Sequence, residues 1–273
     1  MNNSLCHDAR SQHFTFNLFK ISQSSSTLSP KKSKYNWIEL DTVDSTNNYA
    51  MGLIHAGTAQ HGTTVLARHQ TNGKGQRGKI WETEPGANLC FSIVIKPNLA
   101  VTQGFQLLAA VAVAVRNQLE KHVGDQLCIK WPNDLYWRDR KTGGILIENS
   151  IRGTEWQWAV VGIGINVNQT TFGQLQNPVS MKQISGKDTD VAALAKQVHK
   201  AVIEALDELH TKGFVAFFEQ YNVHLFRKQE IVRLKKQNRH ITTPLKGVNE
   251  QGQLVTGIHG ETCFTFGDVE WLL

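Results

Sequence analysis

Gln70-Thr71-Asn72-Gly73-Lys74-Gly75-Gln76-Arg77-Gly78-Lys79 follows an apolar run at 63–67 and is closed by Trp81. Three glycines alternate with three basic residues. Glycine lets backbone N–H groups turn toward one point and lets a ligand approach the main chain. Successive N–H groups in such a turn form an anion-binding nest, and Lys74, Arg77 and Lys79 add mobile positive charge. The chemistry is that of a cradle for phosphate or carboxylate; a surface hairpin turn has the same composition, so the companions decide. Gly73, Gly75 and Gly78 match the G-x-G-x-x-G spacing, but that fingerprint opens a helix. Here Pro85-Gly86 and then a strand-like run follow. The spacing of a P-loop is absent. The context is strand–loop–strand, which excludes a dinucleotide-binding fold.

Working outward, residues 35–40 and 88–96 read as strands, with a helix between them over 49–54. Ser45 or Thr46 suits its N-cap. A helix is expected over 103–123, with Leu108, Val111, Val115 and Leu119 on its buried face. Strands follow at 127–130, 135–137, 143–148 and 156–165, the second and third joined by a charged hairpin turn at 138–141. Residues 168–187 read as a polar loop. Helices are expected over 190–210, with Val191, Leu194, Val198, Val202 and Leu209 on one face, and over 215–223. From Glu230 short strands at 230–235, 244–248, 253–258, 261–266 and 268–272 suggest a small β-barrel. The expected organisation is a mobile arm at 1–34, a main domain at 35–225 and the barrel at 226–273.

Lys130-Trp131-Pro132-Asn133-Asp134 is the second unusual stretch. A residue before proline is extended, so this is a rigid bend at a strand end. It sets Asn133 and Asp134 at the mouth of the sheet. Pro-Asn-Asp is also a turn former. Lys141 follows Arg140 and precedes Thr142-Gly143-Gly144, where it can reach a phosphate across a site.

These pieces together resemble the biotin protein ligases. The matches are Asp44-Ser45-Thr46-Asn47, the loop 70–79 with Trp81, Gly86-Ala87-Asn88-Leu89, Lys130 to Asp134, Arg140-Lys141 before Gly143-Gly144-Ile145-Leu146, and Gly162 to Asn166. They fall in the family's order over about residues 35–270. The resemblance implies an α+β fold: a mixed central sheet flanked by helices, related to class II aminoacyl-tRNA synthetases and lipoate ligases, then an SH3-like barrel. It implies that biotin and MgATP give biotinyl-5′-AMP, from which a lysine of a biotin carboxyl carrier protein, the acetyl-CoA carboxylase acceptor domain, takes the biotin. Carried over, Ser45, Thr46, Asn47 and Gln70 hold the biotin head group. Gly73, Lys74, Gly75, Gln76 and Arg77 cover the carboxylate and α-phosphate. Lys141 contacts both reacting groups, and Gly162 and Gly164 line the floor. Trp81, Asn133 and Asn166 belong to the adenylate side, Asn166 toward adenine. Asp134 is a candidate for holding Mg2+ or for orienting the incoming amine.

The physical logic agrees. A carboxylate attacking a phosphate pairs two anions, and fixed donors aimed at developing charge typically supply ~3–4 kcal/mol each. Two departures stand out. The family loop commonly reads GRGRRGR, so Gln76 removes a charge, and Lys74 and Lys79 lack the bidentate fork of arginine. No winged helix precedes residue 35, so a ligase without sequence-specific DNA binding is expected. A lipoate or octanoate ligase, or a non-catalytic regulator using the basic segment 227–246, are the competing readings.

Composition bounds the rest. The 273 residues are 40% hydrophobic and 19% charged, as in soluble globular proteins. No apolar run approaches the ~20 residues of a membrane span and no signal-peptide order appears, so a cytoplasmic protein is expected. The net charge of +6 is unevenly placed. Residues 35–225 carry 17 basic and 17 acidic side chains, and the excess lies in 1–34 and 226–246. A nucleic-acid enzyme more often carries its charge on the main working face. The four cysteines are scattered, without metal-ligand spacing; Cys90 and Cys128 are expected as buried thiols. Homodimer and monomer both fit.

Overall fold

Alternation of apolar residues builds the sheet that carries the site. The computed structural model describes residues 35–173 and 177–272, all within one compact unit, Lys34–Leu273. The expected arm at 1–34 lies outside the described residues. The chain runs β1 (Trp37–Val43), α1 (Thr46–His55), β2 (Thr64–Gln70), β3 (Leu89–Ile95), α2 (Gly104–Val123), β4 (Leu127–Lys130), β5 (Asp134–Trp137), β6 (Arg140–Arg152) and β7 (Glu155–Ile165). Then come α3 (Met181–Ser185), α4 (Val191–Lys212), α5 (Val215–Val223), β8 (Ile231–Lys236), β9 (Arg239–Val248), β10 (Leu254–Thr256), β11 (Thr262–Phe264) and β12 (Glu270–Leu272).

The first seven strands form a mixed sheet in the order β1-β2-β3-β7-β6-β5-β4. Only β1 and β2 are parallel; the other pairs are antiparallel. In β3, Leu89, Phe91, Ile93 and Ile95 join the large core under α2, α4 and α5, while Val94 joins a smaller cluster under α1. Successive residues of a strand point to opposite faces. Cys90 and Ser92 therefore share the α1 face with Val94, and that face carries the site. Helix α2 is buried around most of its circumference, because α4 and α5 pack on it. Leu108, expected on its core face, is half-buried. Helix α4 starts on Asp190, whose Oδ1 accepts from the Ala192 and Ala193 amides at 2.9 and 3.1 Å. Its expected face is buried at Leu194, Val198, Val202 and Leu209.

Several expectations are corrected. The β5–β6 turn is tighter than 138–141: strand resumes at Arg140, with Arg138 at φ 54° completing the reversal. Lys141 is thus a strand residue. The stretch 168–187 contains α3, capped by Ser180, whose Oγ accepts from the Gln183 amide while the Gln183 side chain returns the bond. The C-terminal strands make an antiparallel sheet in the order β11-β10-β9-β8-β12, and among the described residues β11 and β12 do not pair, so the sheet is open. Cys128 is half-buried, while Cys90 is buried. Val232, Leu234, Leu245, Val248, Leu254 and Phe264 of the second sheet are continuous with the main core.

Candidate functional site

Strand register alone assembles the floor. Cys90 pairs with Gly164, Gly164 with Gly144, Gly144 with Asp134 and Asp134 with Lys130. This is one row across five strands on the α1 face. The next row is Ser92, Gly162 and Leu146, and the third is Val94, Val160 and Glu148. The glycines are there because space is needed. A Cβ on Gly162 would lie 2.3 Å from Asn47 Oδ1, and one on Gly164 would lie 2.5 Å from Trp81 Cε2.

Over this floor opens a cavity of about 670 Å3. Its lining includes every residue expected in the site except Gly73: Ser45, Thr46, Asn47, Gln70, Lys74, Gly75, Gln76, Arg77, Trp81, Asn133, Asp134, Lys141, Gly162, Gly164 and Asn166. Gly73 is buried, and a side chain there would run into the Trp81 carbonyl and Gln70 Nε2.

At one end the start of α1 is buried. Ser45 takes the N-cap position, but its hydroxyl makes no capping bond. The first turn is satisfied instead by Gln70, whose Oε1 accepts from the Thr46 amide at 2.8 Å and from Thr46 Oγ1 at 3.1 Å. Ser92 Oγ donates its one proton to Asn47 Oδ1 at 2.6 Å and lies 2.7 Å from Thr46 Oγ1. Asn47 Nδ2 donates to Glu148 Oε2 at 2.7 Å. A network with defined donors and acceptors fixes the orientation of each amide.

At the other end Lys141 Nζ lies 2.6 Å from Asp134 Oδ1 and 5.7 Å from the Trp81 ring centroid. Asn133 is tied to β6 by Nδ2 to the Ile145 carbonyl at 2.6 Å and by the Ile145 amide to its own carbonyl at 3.0 Å. Asn166 Nδ2 spans to the Lys141 and Val179 carbonyls, each at 3.3 Å. Lys130 Nζ lies over the rings of Tyr136 and Trp271, 4.8 and 5.7 Å from their centroids. Burial pushes its ammonium down to about 8; Asp134 acts against this, and Lys141, Lys79 and Arg227 add to it. Burial likewise pushes the Cys90 thiol up to about 11, which makes it an inert wall and not a nucleophile.

The glycine-rich loop arches over this floor. Its stem closes by the Trp81 amide to the Gly73 carbonyl at 2.8 Å and the Gly75 amide to the Lys79 carbonyl at 2.7 Å. Arg77 has φ 57°, beside Gly78 at φ 74°. Lys74, Arg77 and Lys79 are exposed, and the loop supplies cation density above a wall that already holds Lys130 and Lys141. The charge of these walls suits an anionic ligand.

Sequence reasoning missed Ser92, Cys90 and Glu148, left Lys130 without a role, and did not foresee Phe266, Val269, Glu270 and Trp271 in the lining. A signal existed for two of them. In Leu89-Cys90-Phe91-Ser92-Ile93 the small polar residues alternate with large apolar ones, which assigns them to one face.

Residues 39–166 match the Biotin/lipoate A/B protein ligase family. The biotin–[acetyl-CoA-carboxylase] ligase of Paracoccus denitrificans is 29% identical over 223 residues, covering 79% of this chain and 92% of that relative. The bifunctional ligase/repressor BirA of Bacillus spizizenii is 32% identical over 178 residues, 64% of this chain and 54% of that relative. The chain thus spans about half the length of the first curated relatives it matches. In three dimensions it is similar to the biotin protein ligase from Aquifex aeolicus in complex with biotin and ATP. The TM-score is 0.74 at 28% identity, covering 87% of this chain and 98% of that one. On the motif order, the matched segment and the shared fold, residues 39–166 are similar to the biotin/lipoate A/B protein ligase family.

Proposed function

We propose that the chain is an ATP-dependent biotin–protein ligase. The observation that carries the reading is the convergence of the buried Thr46–Asn47–Gln70–Ser92 network, the basic glycine-rich loop and the Lys141–Asp134 pair on one cavity. The complex of the similar Aquifex aeolicus protein with biotin and ATP supports it. A biotin carboxylate oxygen attacks the α-phosphorus of ATP. Pyrophosphate leaves with the electron pair of the broken P–O bond, giving biotinyl-5′-AMP. An acceptor lysine amine then attacks the acyl carbon, AMP leaves, and the amine proton goes to solvent or a nearby base.

In this reading the polar network at the start of α1 holds the head group. Lys141 lies between the reacting carboxylate and phosphate, and lowers the cost of bringing two anions together. Lys74 and Arg77 cover the adenylate and keep water from its mixed anhydride. Asn166 and Trp81 stand on the nucleotide side. The acceptor is a carrier domain of the acetyl-CoA carboxylase type, as the name of the Paracoccus relative suggests.

Magnesium is implied by the nucleotide. The protein offers it Asp134, whose Oδ1 is taken by Lys141 at 2.6 Å, and among the described residues no three His, Cys, Asp or Glu gather to hold a metal. Mg2+ takes near-octahedral oxygen ligands, often mostly phosphate and water. This donor set does not build a resident site, and Asp134, flanked by lysines, fits the role of orienting the incoming amine.

The test is ATP–pyrophosphate exchange with biotin, lipoate or octanoate supplied separately. Exchange with biotin alone is the expected result. Exchange with lipoate or octanoate, or with none in folded protein, overturns the reading.

A further inference from the structure

Glu148 ends the third row of the floor, outside every motif of the sequence. Its two oxygens face two different parts of the site. Oε2 accepts from Asn47 Nδ2 at 2.7 Å, at the buried start of α1. Oε1 pairs with Lys74 Nζ at 3.0 Å, in the glycine-rich loop. Asn47 has no freedom to turn away, because Ser92 Oγ donates to its Oδ1. The loop's base is held by the Thr71 and Asn72 amides to the Val43 and Asp44 carbonyls at 2.9 and 2.8 Å. Beyond Asn72 its backbone hydrogen bonds, from Gly75 to Lys79, Lys79 to Gln76 and Trp81 to Gly73, lie within its own stem. From Gly73 onward, among the described residues, the Lys74–Glu148 pair is the side-chain hydrogen bond that ties the loop to the sheet. Upstream of it, Thr71 Oγ1 donates to the Val43 carbonyl of β1 at 3.5 Å.

We propose that Glu148 is a positioning residue that couples the head-group end of the site to the loop. One carboxylate sets the Asn47 amide and, through its other oxygen, sets where Lys74 stands above the floor. A molecule seated against Asn47 then meets a loop already drawn toward it. An anion arriving beneath the loop competes with Glu148 for Lys74, so the tie is exchanged for one to the ligand. The retention half of this proposal rests on the ligase reading; the loop-tethering half does not.

The test uses the whole chain with Glu148→Gln, Lys74→Gln and both together. A glutamine at 148 keeps an oxygen for Asn47 but offers a donor or no charge to Lys74. In ligand-free protein, tryptic cleavage after Arg77 and Lys79 is expected to quicken about two- to fivefold in each single variant, the range of a partly exposed ion pair. The double variant should go no further, the non-additivity of two groups acting through one contact. A merely structural role for Glu148 would instead lower the unfolding midpoint and add to Lys74→Gln. With biotin and ATP, Glu148→Gln should release adenylate faster by a similar factor. Wild-type cleavage rates in Glu148→Gln, or additive effects in the double variant, overturn the tether. Unchanged adenylate release with quickened cleavage overturns the coupling to retention. A wild-type chain that forms no adenylate refutes the ligase reading instead, and the cleavage arm still decides the tether.

Discussion

The glycine-rich loop and the Trp131–Pro132–Asn133–Asp134 corner face each other across one cavity, and they are held in opposite ways. The corner is locked from three sides. Trp131, 3% exposed, donates from Nε1 to the Gly252 carbonyl of the second sheet at 2.8 Å. The Tyr221 hydroxyl of α5 donates to the Pro132 carbonyl at 2.8 Å. The Ile145 backbone of β6 grips Asn133. The loop is exposed at Lys74, Arg77, Gly78, Lys79 and Ile80, and closes mainly on itself. Both stretches look equally unusual in the sequence. The fold makes one a fixed frame for charge and the other a cover with low local stability, which suits a group that must admit a substrate and then exclude water.

The largest expected break of this symmetry is Trp131→Ala. It removes a buried ring and leaves the Gly252 carbonyl unpaired, and should cost about 3–5 kcal/mol of unfolding free energy. Arg77→Ala in the loop should leave stability within about 0.5 kcal/mol. Denaturant midpoints of the two variants measure the contrast. Next, Lys141→Met should lower biotin-dependent pyrophosphate exchange about 100- to 1,000-fold, the effect of removing one preorganised charge donor. The fold should be retained, because Lys141 is half-buried and its strand pairing is made by backbone.

A pH series sharpens the same comparison. The folded state holds the Lys130 proton less tightly than the unfolded chain, about 8 against 10.5. Unfolding therefore takes up a proton in that window, the burial penalty is fully present below about 8, and stability rises as pH climbs toward 10.5. The rise should be on the order of 3 kcal/mol, and Lys130→Met should abolish it in denaturant midpoints. The smallest effect is expected in the loop itself. Gln76→Arg should slow adenylate release by no more than about fivefold, since the added charge is partly exposed. An unchanged rate would mean that Lys74, Arg77 and Lys141 already suffice.

What could be read without the structure followed local physics. The Val- and Ala-rich run of α2, the mostly apolar β3 and the capped, amphipathic α4 announce themselves through period and boundary residues. The loop and the corner announce themselves through glycine, proline and charge. The uniformly charged run Arg138 to Lys141 places Lys141 in a turn; pairing of Arg140 and Lys141 with Trp137 and Tyr136 of β5 extends β6 back to Arg140 instead. The C-terminal strands were legible one by one, but whether their sheet closes depends on pairings between its ends. Glu148 and Trp271 enter the site only through register and packing between distant strands, and nothing near them in the chain signals it. Ser92 is intermediate: its alternation with Phe91 and Ile93 names its face, and only the tertiary structure names its partners.

Amide hydrogen exchange, followed with and without biotin and ATP, tests the central contrast most directly. The account predicts that amides 73–81 exchange rapidly in the free protein and gain protection on ligand binding, while those of Ile129, Lys130 and Asp134 are protected throughout. Protection of the loop before any ligand is added, or a corner that opens together with it, would contradict a fixed frame facing a moving cover.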